Sequence, residues 1–267
     1  MPLIIPRSYL FVPGNRPDRF DKACRAAADG VIIDLEDAVP FSEKVAARAA
    51  TVAWLTAEKS VFIRINCADS EWFDDDLALC RLPGVAGIVL PKAERVEDIA
   101  LVAGAGAAII LPLIESAMGF WNVHAIAQAP GVHRLLFGSI DFQLDLGIEG
   151  DNEELLYFRS QLVLASRIAG IAAPVDGVST AIDEPESVQV DTIRARRLGF
   201  GAKLCIHPKQ IAPVHAGFLP SQQDIDWARR VLKAAALANG AAVALDGKMI
   251  DRPVILKAEK ILSALGI

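Results

Sequence analysis

Four cysteines, Cys24, Cys67, Cys80 and Cys205, lie far apart in 267 residues with no C-x-x-C pair among them. That spacing offers neither a disulfide framework nor a structural zinc site, and leaves the four as reduced core thiols. Runs of Lys or Arg are also missing. With 27 basic residues against 33 acidic ones, a formal net charge of −6, no basic tail or stripe exists to grip nucleic acid. The opening MPLIIPRSYLF is broken by Pro2, Pro6 and Arg7, so it holds no long apolar run of the signal-peptide or membrane-spanning kind, and a cytoplasmic protein is expected. No Ser/Gly/Pro-rich linker divides the chain. With 53% apolar residues it has enough material for one large core or two smaller ones.

What is present is an alternation. Short β-rich runs cover 7–12, 31–36, 61–66, 87–92, 108–115, 134–140, 173–178 and 202–207, eight in all. Helical composition fills 16–29, 42–58, 72–81, 96–103, 121–128, 153–169, 184–198 and 221–239. Gly30, Gly84 and Gly199 stand where a left-handed residue would close a helix. Units that repeat about every 25 to 30 residues, eight times in about 250, have the arithmetic of a (β/α)₈ TIM barrel. The rival, a doubly wound open sheet, would want a glycine fingerprint after the first strand, and Pro13-Gly14-Asn15-Arg16 is not G-x-G-x-x-G. We therefore expect a barrel over 1–240 and an extension over 241–267. The extension has an Asp246-Gly247 hairpin turn, then Val254, Ile255, Ala258, Ile261 and Leu262 at helical spacing. That apolar face needs a surface: the outside of the barrel or a neighbouring subunit.

A barrel enzyme works at the C-terminal ends of its strands, where this chain places its polar residues. Strand two ends in Asp34, Glu36 and Asp37, strand three in Arg64 and Asn66, strand four in Lys92 and strand five in Glu115. Ser139 and Asp141 end strand six, Asp176 and Ser179 strand seven, and His207 strand eight. Glu115 and Asp141, on adjacent strands, are a pair of oxygen ligands of the kind that holds Mg²⁺ while leaving room for water and substrate; the alternative is that each caps the helix that follows. Asp34, Glu36 and Asp37 could orient water on that ion or form a solvated loop. Arg64 shares a strand face with Phe62 and Asn66 and needs an anionic partner, a neighbouring acid or a bound carboxylate. Lys92 reads as a salt-bridge residue or a Schiff-base nucleophile, and His207 as a histidine bonded to backbone or a general base.

RSYLFVPGNRPDRFDKA, VIIDLEDAVP, VFIRIN, GIVLPKAE, LPLIES, LLFGSIDF, GAKLCIHPKQI and DGKMIDRPVILKAEKIL, in this order, resemble the HpcH/HpaI aldolase and citrate lyase β-subunit family. The likeness is to its stand-alone branch of malyl-CoA, citramalyl-CoA and citryl-CoA lyases. The resemblance implies a Mg²⁺-dependent barrel that breaks or forms the C–C bond between an acyl-CoA and a 2-oxo acid. Glu115 and Asp141 would bind the metal and Arg64 would contact the oxo acid and the reacting thioester, with Glu36 and Asp37 holding metal waters. Asp251 would reach a neighbouring subunit's site as acid/base, within a homotrimer or a hexamer built from two. Ala117, Met118, Gly119 and Phe120, with Val39, Pro40 and Phe41, are expected to line the substrate pocket, and Arg16 and Arg19 to meet the phosphates of coenzyme A. A malyl-CoA thioesterase and a CoA-independent class II pyruvate aldolase remain open as alternatives. Without the resemblance, Asp251 before Arg252-Pro253 reads as a helix cap.

Overall fold

The structure, a computed structural model, describes residues 6–237 and 243–263. Residues 1–5 of the opening stretch, residues 238 and 239 of the last helical reading, and residues 241, 242 and 264–267 of the extension lie outside that range.

Strands β1 (Ser8–Pro13), β2 (Gly30–Asp34), β3 (Val61–Arg64), β4 (Val85–Leu90), β5 (Ile110–Ile114), β6 (Arg134–Phe137), β7 (Ala172–Asp176) and β8 (Ala202–Cys205) pair in parallel, in sequence order, and close β1 onto β8. All eight runs expected from the sequence are strands of this barrel. Helices α1 (Phe20–Cys24), α2 (Lys44–Trp54), α3 (Phe73–Asp76), α4 (Val96–Gly104), α5 (Ala117–Trp121) and α6 (Val123–Ala127) surround them. So do α7 (Ser139–Leu146), α8 (Leu156–Ala169), α9 (Pro185–Leu198) and α10 (Ile211–Phe218).

The two-residue period of each strand separates two cores. Tyr9, Ile32, Val89, Leu111, Leu113, Leu136, Ala202 and Leu204 fill the barrel. Their neighbours Ile63, Ile88, Ile110, Ile114 and Leu135 pack outward under the helices. Counting on by two from the interior residues puts Asp34 and Glu36 after Ile32, Arg64 after Phe62, and Glu115 after Leu113 on the inward face. Gly84 and Gly199 do take left-handed conformations, at φ +90° and +104°. Gly30 does not; it opens β2, where a Cβ would stand 2.8 Å from the Tyr9 ring.

A second compact unit runs from Ala216 onward. Helix α11 (Gln222–Leu237) packs on α12 (Arg252–Ser263), and between them the hairpin β9 (Val243–Leu245) and β10 (Lys248–Ile250) turns at Asp246-Gly247 with both residues at positive φ. Trp227, Ala228, Val231 and Leu232 of α11 cover Val254, Ile255, Ala258, Ile261 and Leu262 of α12. The apolar face of the last helix thus has a partner inside its own unit. No helix among the described residues is long and apolar enough to cross a membrane.

One buried charge cluster secures the far side of the barrel. Arg159 of α8 donates from Nε to Asp176 Oδ1 at 2.8 Å and from Nη2 to Asp151 Oδ1 at 2.9 Å, while Lys203 Nζ lies 3.6 Å from Asp176 Oδ2. Burial alone would raise the Asp176 carboxyl, but Lys203 and Arg159 outweigh it and hold it below the ordinary carboxylate range. Asp176→Ala would take the buried carboxylate from Lys203 and leave Arg159 only Asp151, at a cost of about 3–5 kcal/mol, read as a lower midpoint in denaturant unfolding. Because the folded pKa is depressed, the stabilisation exists above the unfolded value and is lost as pH falls through the folded one.

Candidate active site

The inward residues meet at the mouth of the barrel, around a cavity of 390 Å³ whose lining includes Asp34, Asp37, Arg64, Glu115 and Asp141 over an apolar floor of Phe11, Leu113 and Leu204. Asp34 and Arg64 are register partners on β2 and β3. The guanidinium donates from Nε to Asp34 Oδ1 at 2.7 Å and from Nη2 to Asp34 Oδ2 at 2.6 Å. Nη1 faces Glu36 Oε2 at 3.1 Å and Asp37 Oδ2 at 3.4 Å, and the Phe11 ring packs 5.0 Å from the guanidinium carbon. Asp34 also accepts the backbone N–H of Glu36 at 2.9 Å and of Ala38 at 3.2 Å, so one carboxylate shapes the loop and aims the arginine. Burial alone would lower the Arg64 pKa, but Asp34 outweighs it and raises it, so the charge is permanent.

A polar bolt fixes the same loop from behind. Buried Lys44 donates to the carbonyls of Leu35 and Glu36 at 2.8 and 2.7 Å and to Asn66 Oδ1 at 2.7 Å, and Asp76 accepts from Asn66 Nδ2 at 2.7 Å. Asn66 is thereby committed to structure. Lys92 sits at φ +45°, a conformation uncommon for a residue with a Cβ, and its backbone N–H donates to Glu115 Oε1 at 2.7 Å. Its ammonium lies 3.4 Å from Glu36 Oε1, the salt bridge that its position suggested.

Glu115 is 3% exposed, and its Oε2 is buried without a hydrogen-bond partner. Burial pushes this carboxyl up to about 8 and that of Glu36 to about 7, and burial also raises Asp141. Five carboxylates (Asp34, Glu36, Asp37, Glu115, Asp141) face two cations (Arg64, Lys92), an excess of negative charge that a divalent cation would offset. Among the described residues no three ligating side chains converge. An orphaned buried oxygen on Glu115 with Asp141 on the same cavity nevertheless fits a Mg²⁺ ion that draws its other ligands from water and substrate. Neither acid is the cap of the helix after it: Ser116 Oγ accepts the Gly119 N–H to start α5, and Gly138 is the N-cap of α7, whose first turn carries Asp141. A Cβ at position 138 would stand 2.5 Å from both Cβ and Oε2 of Glu115. Gly138→Ala is therefore expected to weaken Mg²⁺ binding about tenfold or more, measured by calorimetry, since overpacking of this kind costs about 1–3 kcal/mol.

Some expected site residues stand elsewhere. Ala117, Met118, Gly119 and Phe120 do not line the cavity, because Ser116 turns the chain into α5 and carries them away; the Met118 side chain is exposed. Val39, Pro40 and Phe41 line a separate 400 Å³ hollow with Lys44, Trp72 and Lys92. Arg19 borders a 320 Å³ cleft that shares Phe11, Pro13 and Ile206 with the main cavity, beside Lys22 and His207, two residues not singled out for it from the sequence. Arg16 is bonded to Asp18 at 2.9 and 3.0 Å, outside that cleft. His207 Nδ1 accepts the Lys209 N–H, the backbone-bonded role. In the second unit, Asp251 Oδ1 accepts the Val254 N–H at 3.3 Å at the start of α12.

Comparison with known proteins agrees with this fold. The model of the HpcH/HpaI aldolase/citrate lyase family matches residues 7–208. A citrate lyase subunit beta-like protein of Deinococcus radiodurans is 40% identical, with 96% of each chain covered. A (3S)-malyl-CoA thioesterase of Cereibacter sphaeroides is 32% identical over 96% of this chain and 93% of its own. The crystal structure of protein CitE from Mycobacterium tuberculosis, in complex with magnesium, acetoacetate and coenzyme A, superposes with a TM-score of 0.88 at 34% identity over 98% of both chains. The chain belongs to the HpcH/HpaI aldolase/citrate lyase family.

Proposed function

We propose that this protein is a cytoplasmic Mg²⁺-dependent carbon–carbon lyase that cleaves, or in reverse forms, a 3-hydroxyacyl-CoA such as malyl-, citramalyl- or citryl-CoA, yielding an acyl-CoA and a 2-oxo acid. The observation that carries the reading is the partnerless Glu115 Oε2 in the cavity that Asp141 and Arg64 also line. Glu115 and Asp141 would hold the ion, which supplies a Lewis acid for the oxygens of the oxo acid. Cleavage removes the substrate hydroxyl proton, breaks the C–C bond and moves that electron pair onto the thioester carbonyl as an enolate, which is then protonated at carbon. Arg64 donates to the oxygen on which that charge develops, a contribution of about 3 kcal/mol for a preorganised donor. Glu36 and Asp37 stand beside it, where they can order water at the mouth. Asp251 of a neighbouring copy serves as the base for the hydroxyl proton. Arg19 and Lys22, with the Nε2 side of His207, offer donors to the phosphates of coenzyme A.

An oligomer, a homotrimer or a hexamer of two, accords with the apolar side chains that α5 and α7 leave in water: Trp121 is 83% exposed and Leu144 81%. A thioesterase is the second reading, favoured by the (3S)-malyl-CoA thioesterase relative; there water would attack the thioester and no C–C bond would break. Running the reaction in the condensing direction tests the proposal. Acetyl-CoA incubated with glyoxylate, pyruvate or oxaloacetate should give a 3-hydroxyacyl-CoA by mass spectrometry only with Mg²⁺ present. No adduct with any of the three would contradict it.

A further inference from the structure

Arg64 is already saturated with anions. Asp34 takes Nε and Nη2 at 2.7 and 2.6 Å, and Nη1 faces Glu36 at 3.1 Å and Asp37 at 3.4 Å. An oxyanion entering the cavity can use Nη1 only by replacing one of the acids on it. The two are not equally replaceable. Glu36 is 5% exposed, accepts the Asp37 N–H at 3.1 Å and is paired with Lys92 at its other oxygen. The Asp37 side chain is 54% exposed, makes the longest of the Arg64 contacts, lines the cavity itself and keeps its backbone in place through that N–H to Glu36. Asp34, buried and anchored by two backbone N–H groups, cannot leave.

We propose that Asp37 is a place-holding counter-ion for Arg64, displaced by the anionic oxygen of the bound substrate, while Asp34 is the positioning residue that keeps the guanidinium aimed as the exchange takes place. This rests on the reading of Arg64 as the substrate's anion contact. The exchange swaps one carboxylate for another anion at Nη1 and leaves the charge set against the guanidinium unchanged; Asp37, once released, swings into water at the mouth. Its presence costs affinity and selects for ligands whose anionic oxygen is placed well enough to compete.

The two acids therefore have opposite signs in a binding experiment, which a general loosening of the loop would not produce. The probe is pyruvate titrated calorimetrically into the full-length Mg²⁺-loaded protein. Asp37→Asn should bind it about fivefold more tightly, the worth of one partly exposed ion pair. Asp34→Asn should bind it at least about tenfold more weakly, having lost two charge-assisted bonds that aim the arginine. Repeating the Asp37→Asn titration in about 0.5 M KCl separates the mechanisms, since a long-range charge effect is screened there and a freed N–H is not. Binding of pyruvate by Asp37→Asn no tighter than wild type, or a gain that vanishes in salt, overturns the place-holder while leaving the lyase reading intact. Failure of the wild-type protein to bind any of pyruvate, glyoxylate and oxaloacetate overturns both.

Discussion

Glu115→Gln should abolish the Mg²⁺ response and lower kcat/KM for cleavage by about a thousandfold, the loss of ~4 kcal/mol of charge stabilisation. The substitution replaces a buried carboxylate by a neutral group of the same shape, so its effect on folding has a defined sign. In the metal-free protein burial pushes the Glu115 carboxyl from an ordinary 4.5 up to about 8. A folded pKa raised above the unfolded one contributes stability that is complete below the unfolded value and is lost as pH rises through about 8. Near pH 9 and without metal, Glu115→Gln should therefore melt at or above the wild-type temperature. With saturating Mg²⁺ the order reverses, because only the wild type gains from the ion. Because the ion must displace a proton from Glu115, Mg²⁺ affinity should rise with pH up to about 8, with proton release on binding. Thermal unfolding at two pH values, with and without Mg²⁺, checks both signs. A Glu115→Gln protein that Mg²⁺ still stabilises would remove the metal from this site.

Arg64→Lys should be nearly as damaging as loss of the side chain, with kcat/KM down about a hundredfold or more. Lysine keeps the charge, but its ammonium cannot span both oxygens of Asp34 while presenting another donor to the cavity, as the planar fork does. The structure places Asp34 Oδ1 and Oδ2 at 2.7 and 2.6 Å from two different nitrogens, so the pairing is bidentate and the orientation is set by it. Arg64→Ala should go further and destabilise the fold by about 3–5 kcal/mol, since Asp34, 1% exposed, would be left as a buried unpaired charge. Steady-state kinetics on the lysine variant and denaturant unfolding of the alanine variant separate the two roles. Wild-type kinetics in Arg64→Lys would mean that a point charge suffices there.

The eight strands were legible because each is a short β-branched or apolar run with a polar end, and that pattern survives into the barrel without tertiary help. The inward placement of Glu36, Arg64 and Glu115 was legible for the same reason: a period of two carries the interior parity of Ile32, Phe62 and Leu113 onward to them. Asp34 was visible at the mouth, but its hold on Arg64 depends on the register between β2 and β3, which local sequence does not encode. The sequence predicts a strand through residue 140 where the structure starts α7, since Ser139-Ile140-Asp141-Phe142 follows the strand with no polar spacer and Gly138 serves as the N-cap. The left-handed backbone at Lys92 has no sequence signal at all; it arises because the amide must reach Glu115. Ala117 to Phe120 follow the metal-binding motif in sequence but leave the mouth in space, because Ser116 starts a helix there. Lys22 joins Arg19 only in the folded chain, where both line one cleft with Ile206, His207 and Pro208 after β8.

The central claim is that a C–C bond breaks. The direct measurement is a cleavage time course of the purified full-length protein on malyl-CoA, citramalyl-CoA and citryl-CoA with Mg²⁺, following 2-oxo acid and free CoA separately. The account predicts oxo acid and acyl-CoA in equal amounts from at least one of the three, with no free CoA, and no reaction once the metal is chelated. Free CoA released without any oxo acid would contradict it and make the protein a thioesterase.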